Sequence, residues 1–453
     1  MAVPTEQRGI TGSRPPVPRA IARLQKIGAA LGRPLFAVVL AIVAGGVVIL
    51  LTTPGSLESR FAAAFSAYQY LYLGSFGDVQ SLSYTLIKVG ALILTGLSVA
   101  IAARVGLFNI GAEGQLAVGA MTAGIIAFKL PAAPGWLLIP LLIVSSALAG
   151  AIWGGIVGLL KAWRGAHEVV TTIMLNWIAF HVADYFINGP FKAPQQANQT
   201  PSIPLQATLP SIAMFYNNTL GHIFPPIPQP EQYLVDVSFF FALIALVVYW
   251  FITRRTTFGY EIRVIGQNPR AARYAGIPIG RNLVLAMALA GAFAGLAGAF
   301  RLMGQFPYQL IATTFSTDST GFDAIGVALL GRTTATGVLL GSLLFGGLRQ
   351  GSTQMQISAN IPVDLIFILQ ALVLFSIAAK FLPAIQRALP SWIPFSRKAP
   401  LVAGSIGAGE TAAPLNGAVN NDNGSGNGVS KGIPGTSAKL GTGEDHSEQG
   451  EGK

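Results

Sequence analysis

Gly106-Leu107-Phe108-Asn109-Ile110-Gly111-Ala112-Glu113-Gly114-Gln115 sets a carboxylate, two amides and three glycines between and within two apolar runs, 84–104 and 110–130. Each run is long enough to cross roughly 30 Å of hydrocarbon. Hydrocarbon supplies no water to a polar side chain or an unpaired backbone group, so this segment has to face protein or a water-filled passage. Transport is the first function it suggests.

Composition extends that reading to the whole chain. Hydrophobic residues make up 52% of it, charged residues 10%, and the mean hydropathy is +0.57, far from soluble domains. The expected fold class is an all-α integral membrane protein with about ten transmembrane segments, some of them short or broken. Spans are expected near 34–52, 84–104, 110–130, 136–160, 168–188, 234–253, 282–303, 335–353 and 362–380. A tenth, Gly321-Phe322-Asp323-Ala324-Ile325-Gly326-Val327-Ala328-Leu329-Leu330-Gly331, is too short to cross unaided and reads as a broken or re-entrant helix. The first run lacks a small-residue cleavage site and reads as a retained anchor. Without cysteine, and with four scattered histidines, redox and metal roles find no ligand set.

Basic residues give the orientation. With the amino terminus inside, twenty lysines and arginines fall on cytoplasmic segments, against six on exterior loops or outer span ends: Arg60, Lys88, Lys129, Lys192, Arg301 and Arg349. That bias places both termini in the cytoplasm of a multi-pass cell (inner) membrane protein. The basic excess lies in residues 1–399, with 26 basic and 12 acidic side chains, whereas 400–453 carry three and six. Membrane lipid is the partner this charge fits, and no aromatic–basic stripe argues for nucleic acid.

The expected organisation is a basic cytoplasmic extension at 1–33, a transmembrane domain at 34–385, and a cytoplasmic tail at 386–453, disordered from about 400 because its Gly, Ser and Asn bury little surface. Two loops interrupt the domain. The exterior one, 189–233, carries nine prolines and reads either as a solvated spacer or as a docking surface. The cytoplasmic one, 254–281, contains Asn268-Pro269-Arg270-Ala271-Ala272-Arg273-Tyr274-Ala275-Gly276-Ile277. Asn268 suits a helix cap, Pro269 the first turn and Gly276 a left-handed stop. A compact capped helix with Arg270, Arg273 and Tyr274 beside alanines suits insertion into a groove on a cytoplasmic protein.

Polar residues inside the spans are the candidate substrate path: Asn109, Glu113, Gln115, Thr172, Asn176 and Asp323. Residues 168, 172 and 176 step by four along one helical face, although such groups also serve helix-to-helix hydrogen bonding. Gly150/Gly154/Gly158, Gly291/Gly295, Gly337/Gly341 and Gly347/Gly351 read as close-packing pairs. There is no phosphate-binding Gly-x-x-x-x-Gly-Lys-[Ser/Thr] loop, so energy would arrive from another subunit.

Gly106–Gln115, Glu168–Asn176, Asn268–Ile277 and Gly321–Gly331 resemble, in order, segments of the permease subunits of ABC importers, in the branch serving simple sugars, branched-chain amino acids and, most closely, nucleosides. The resemblance covers about 34–385. It implies alternating access, a homologous or identical second permease, an extracytoplasmic substrate-binding protein and two cytoplasmic ABC ATPase subunits. ATP would be used by those partners, with no cofactor bound by this chain, which would be a transport subunit rather than an enzyme. By position, Asn268, Pro269, Arg270, Ala271, Ala272, Arg273, Tyr274 and Gly276 would form the ATPase contact. The segment departs from the glutamate-alanine-alanine motif of better-known importers, since no acidic residue starts it. An ion-coupled secondary transporter of a small polar solute is the alternative, because broken helices and intramembrane carboxylates occur there too.

Overall fold

The computed structural model describes residues 38–378, with 195, 313, 314, 316, 317 and 363 excepted. The expected extension at 1–33 and tail at 386–453 lie outside the described residues. The helices are α1 (Val38–Thr52), α2 (Leu57–Phe76), α3 (Val79–Arg104), α4 (Ala112–Lys129), α5 (Gly135–Arg164), α6 (Glu168–Asn188), α7 (Ile212–Thr219), α8 (Ser238–Arg255), α9 (Thr257–Gln267), α10 (Pro269–Tyr274), α11 (Ile279–Gly304), α12 (Thr320–Leu330), α13 (Ala335–Ala359) and α14 (Asp364–Ala378). No strand occurs among the described residues beyond two isolated bridges. The fold is all-α, as the composition requires.

Local chemistry sets the helix ends. Asp78 caps α3 by accepting from the Ser81 amide at 2.6 Å, and Thr334 caps α13 by accepting from the Gly337 amide at 3.1 Å. α5 stops at Gly165, whose φ of +66° only glycine adopts cheaply.

α3, α5, α6, α8 and α11 are each long and apolar enough to span alone, and they sort into two shells. The most apolar window is 72% buried in α3 and 61% in α11, but 22% in α5 and 28% in α6 and α8, so the last three lie on the outside of the bundle. α4 sits between the shells and holds the polar residues Glu113 and Gln115, each 1% exposed. Protein, not lipid, surrounds these two polar side chains, which is the arrangement hydrocarbon demands. α5 and α11 pack backbone to backbone: a methyl at Gly291 would overlap the Gly150 carbonyl, and one at Gly158 would lie 2.7 Å from the Val284 Cα.

Two regions differ from the hydropathy reading. The stretch between the first two expected spans contains α2, where Arg60, Gln69 and several serines and tyrosines dilute the apolar signal. α2 packs on α13, the Ser75 hydroxyl donating to the Gly347 carbonyl at 2.5 Å. The 189–233 loop is not a free spacer. It folds over the outer end of α11 through Ile203 N to Tyr308 O at 2.8 Å and Leu209 N to Met303 O at 2.8 Å, and it carries α7.

Candidate functional site

At one end of the bundle, α9 and α10 form an elbow. Asn268 caps α10, its Oδ1 accepting from the Arg270 and Ala271 amides at 3.0 and 3.1 Å; Pro269 occupies the first turn, and Gly276, at φ +73°, turns the chain away. Ala272 packs inward, while Arg270, Ala271, Arg273 and Tyr274 face outward, Tyr274 being 94% exposed. The elbow is anchored by Asn282 Nδ2 donating to Glu261 Oε2 at 2.7 Å. At Gly266 α9 rests on the Arg104 carbonyl so closely that a side chain there would collide with it. Arg104 in turn donates to the Tyr249 hydroxyl at 2.9 Å and to the Thr333 carbonyl at 2.6 Å, just beyond α12. The elbow thus bears on the turn that leads into α4 and, through Arg104, on the end of α12.

The polar residues singled out within the spans divide into two groups. Asn109 Nδ2 donates to Gln115 Oε1 and to the Ser98 hydroxyl, each at 3.0 Å, while Gln115 Nε2 donates back to Asn109 Oδ1 at 3.2 Å. Asn176 Oδ1 accepts from the Gly114 amide at 2.9 Å, and its Nδ2 donates to the Ile110 carbonyl at 2.9 Å. Thr172 is buried and returns its hydroxyl to the Glu168 and Val169 carbonyls of its own helix. These amides spend their capacity fastening α3, α4 and α6.

Glu113 and Asp323 instead join a charged knot around the start of α12. Glu113 Oε2 accepts from the Gly321 amide, and Oε1 has no hydrogen-bond partner. Arg349 of α13 pairs with Asp323 at 2.5 Å and Asp318 at 2.7 Å, and donates to Ser319 Oγ at 2.7 Å; Arg301 of α11 also pairs with Asp318. Carboxylates and guanidinia this far from water are tolerable only in such mutual company. α12 is therefore pinned at its beginning by side chains from α4, α11 and α13.

At the end of the bundle opposite the elbow, above this knot, a cavity of about 900 Å³ opens between the 205–214 and 231–234 segments, α3, and the end of α11. Tyr84, Tyr233, Phe306 and Tyr308 supply aromatic walls; Lys88, Gln305 and Gln350 supply polar ones, with Thr208, Ser211 and Glu231 on the loop side. Phe306 and Tyr308 meet edge-on with centroids 6.1 Å apart. Lys88 and Gln305 also line the narrow recess that reaches Arg301, Asp318, Thr320 and Arg349. The side chains of Lys88, Gln305 and Gln350 make no hydrogen bond or ion pair with the described residues. The sequence reading treated Lys88, Arg301 and Arg349 only as charges near span ends and passed over Asp318. Two arginines inside spans, with Asp318 in the connecting segment and Asp323 in the short helix after it, were the available signal, because intramembrane charges must balance.

Residues 81–378 match the family of permease components of branched-chain amino acid transport systems. This chain belongs to that permease family. It is 37% identical over 349 residues to a guanosine ABC transporter permease of Bacillus subtilis (strain 168), covering 77% of this chain and 93% of that one. It is 34% identical over 350 residues to a nucleoside ABC transporter permease of Lactococcus lactis subsp. cremoris (strain MG1363), covering 77% and 91%. A glucose ABC transporter permease of Haloferax volcanii is 31% identical over 358 residues, 78% of this chain and 88% of that one. No solved structure matches. The permease is a multi-pass membrane protein and the transport subunit of an ABC system; ATPase and substrate-binding partners go with that role in general.

Proposed function

We propose that this chain is the translocation subunit of an ATP-driven nucleoside importer, with both termini cytoplasmic. The observation that carries the substrate is the near full-length similarity to permeases named for guanosine and for nucleosides, which exceeds that to the glucose relative. In this reading Asn268 to Gly276 contact the cytoplasmic ATPase, a second permease copy or homologue completes the membrane unit, and an extracytoplasmic binding protein delivers solute at the vestibule end.

The geometry supplies a mechanism without covalent chemistry. In the state described, the charged knot of Glu113, Asp318, Asp323, Arg301 and Arg349 closes the floor beneath the vestibule. ATP binding in the partner would press the elbow, shift the Arg104–Gly106 turn against α4 and tilt α12 from its far end. Opening then exchanges one set of ion pairs for another or for water, so the barrier stays modest only while charges remain compensated. Asn109, Gln115, Thr172 and Asn176 hold α4 rigid through this motion, and Glu113 and Asp323 lie on the solute's route.

The test is coexpression with ATPase and binding-protein partners, followed by vesicle uptake of labelled guanosine, uridine, ribose and leucine. Nucleoside accumulation that requires ATP is expected; accumulation driven by an ion gradient without ATPase sinks the proposal. Exchanging Arg273 and Tyr274 together for alanine should abolish ATPase co-purification and leave membrane insertion intact, and an unchanged pull-down removes the elbow from the interface.

A further inference from the structure

The path of a permease fed by a binding protein can be featureless. This one is not, because three polar side chains at the vestibule floor have no partner among the described residues while every candidate amide of the inner bundle is engaged. Leaving a lysine and two amides unpaired in a partly enclosed, aromatic-walled cavity sacrifices hydrogen-bond energy unless something else completes them. The walls say what that is. Tyr84, Tyr233, Phe306 and Tyr308 present flat π faces and edges suited to a planar ring. Lys88 can only donate, whereas Gln305 and Gln350 both donate and accept, a set that matches ring carbonyls and sugar hydroxyls. Tyr308 is held at φ +59°, its carbonyl accepting from Ile203 N at 2.8 Å, so the backbone keeps its ring-bearing residue at the mouth in a conformation few residues adopt unaided.

We propose that the vestibule is a solute site within the permease itself, which takes a hydroxyl-bearing planar heterocycle between its aromatic walls and reads its polar edge with Lys88, Gln305 and Gln350. This rests on the nucleoside reading and adds a selectivity step after delivery.

The experiment is photolabelling of the complete transporter in proteoliposomes, without binding protein, by 8-azidoguanosine, alongside guanosine uptake with binding protein present. Guanosine-protected adducts are expected on peptides containing residues 84–88, 305–308 or 350. Lys88→Met should lower protected labelling about tenfold, as loss of a charged hydrogen bond does. Tyr84→Leu with Phe306→Leu should do the same, while Phe306→Tyr retains wild-type labelling. Thermal midpoints matching wild type confirm that the variants fold. Guanosine uptake with protected adducts elsewhere, or with none, overturns the vestibule site alone. Uptake of ribose or leucine and not of guanosine overturns the nucleoside reading with it.

Discussion

The inner amide cluster and the vestibule floor use the same kinds of side chain for opposite ends. Asn109, Gln115 and Asn176 are buried at 2% exposure or less, and each is spent on a neighbour in α3, α4 or the turn between them. The side chains of Gln305 and Gln350, in a cavity of about 900 Å³, bond to nothing in the described chain. Polarity inside a membrane protein therefore does not mark a solute path by itself; unspent hydrogen-bonding capacity beside open volume does. The charged knot lies between the two: its arginines and aspartates are paired, one Glu113 oxygen has no partner among the described residues, and opening must break it.

The largest effect expected from disturbing this division is at Arg349. Arg349→Met leaves Asp318 and Asp323 without their shared cation, and removing one partner of a buried pair costs about 3–5 kcal/mol. A thermal midpoint within a degree of wild type, with uptake intact, would show that the knot does not hold the floor. Next comes Gln115→Leu, which takes from the buried Asn109 amide one acceptor and one donor, leaving it Ser98 and the Gly111 amide, and should cost roughly 1–3 kcal/mol. Surviving transporters should keep their half-saturating guanosine concentration. A changed concentration with unchanged stability would move Gln115 from the fastening to the path.

The smallest effect is at Asp236, at the foot of α8 and outside its span, which belongs half to each class. One oxygen accepts from the Ser238 amide at 2.8 Å, the other has no partner, and burial pushes the carboxyl up to about 6. A carboxyl with a raised folded pKa penalises the native state once ionised, so the cost is absent below the unfolded value near 4, grows between the two, and is complete above about 6. Asp236→Asn should stabilise the protein by on the order of 2 kcal/mol at pH 7.5 and by less at pH 5. Equal gains at both values would mean that charge is not what the site resists.

Much of the architecture is legible in the linear chain because hydrocarbon enforces length and apolarity. The central helices stand within a few residues of their expected positions, and the short Thr320–Leu330 helix is recognisable from its brevity. α2 escapes the same reading, since a helix packed on protein along one side needs no continuous apolar run. The capped helix at 269–274 follows from Asn-Pro and a terminal glycine, whose conformational demands are local. The site is less legible for the converse reason. Whether Asn176 or Gln350 is free depends on distant residues: the partners of Asn176 are Gly114 and Ile110, 62 and 66 positions away. Sequence can show that both are polar in an apolar setting, not which has found a partner.

The two fastenings of α12 differ in kind. Its start depends on the side chains of Glu113, Asp318, Asp323, Arg301 and Arg349, any of which one codon change can remove. Its far end is gripped through the Thr333 carbonyl, which accepts from both Arg104 and Tyr249 and is present whatever amino acid stands at 333. Genetic drift at position 333 leaves that acceptor in place, so heritable loosening of this end has to strike the donors Arg104 or Tyr249, whereas five positions offer it at the beginning.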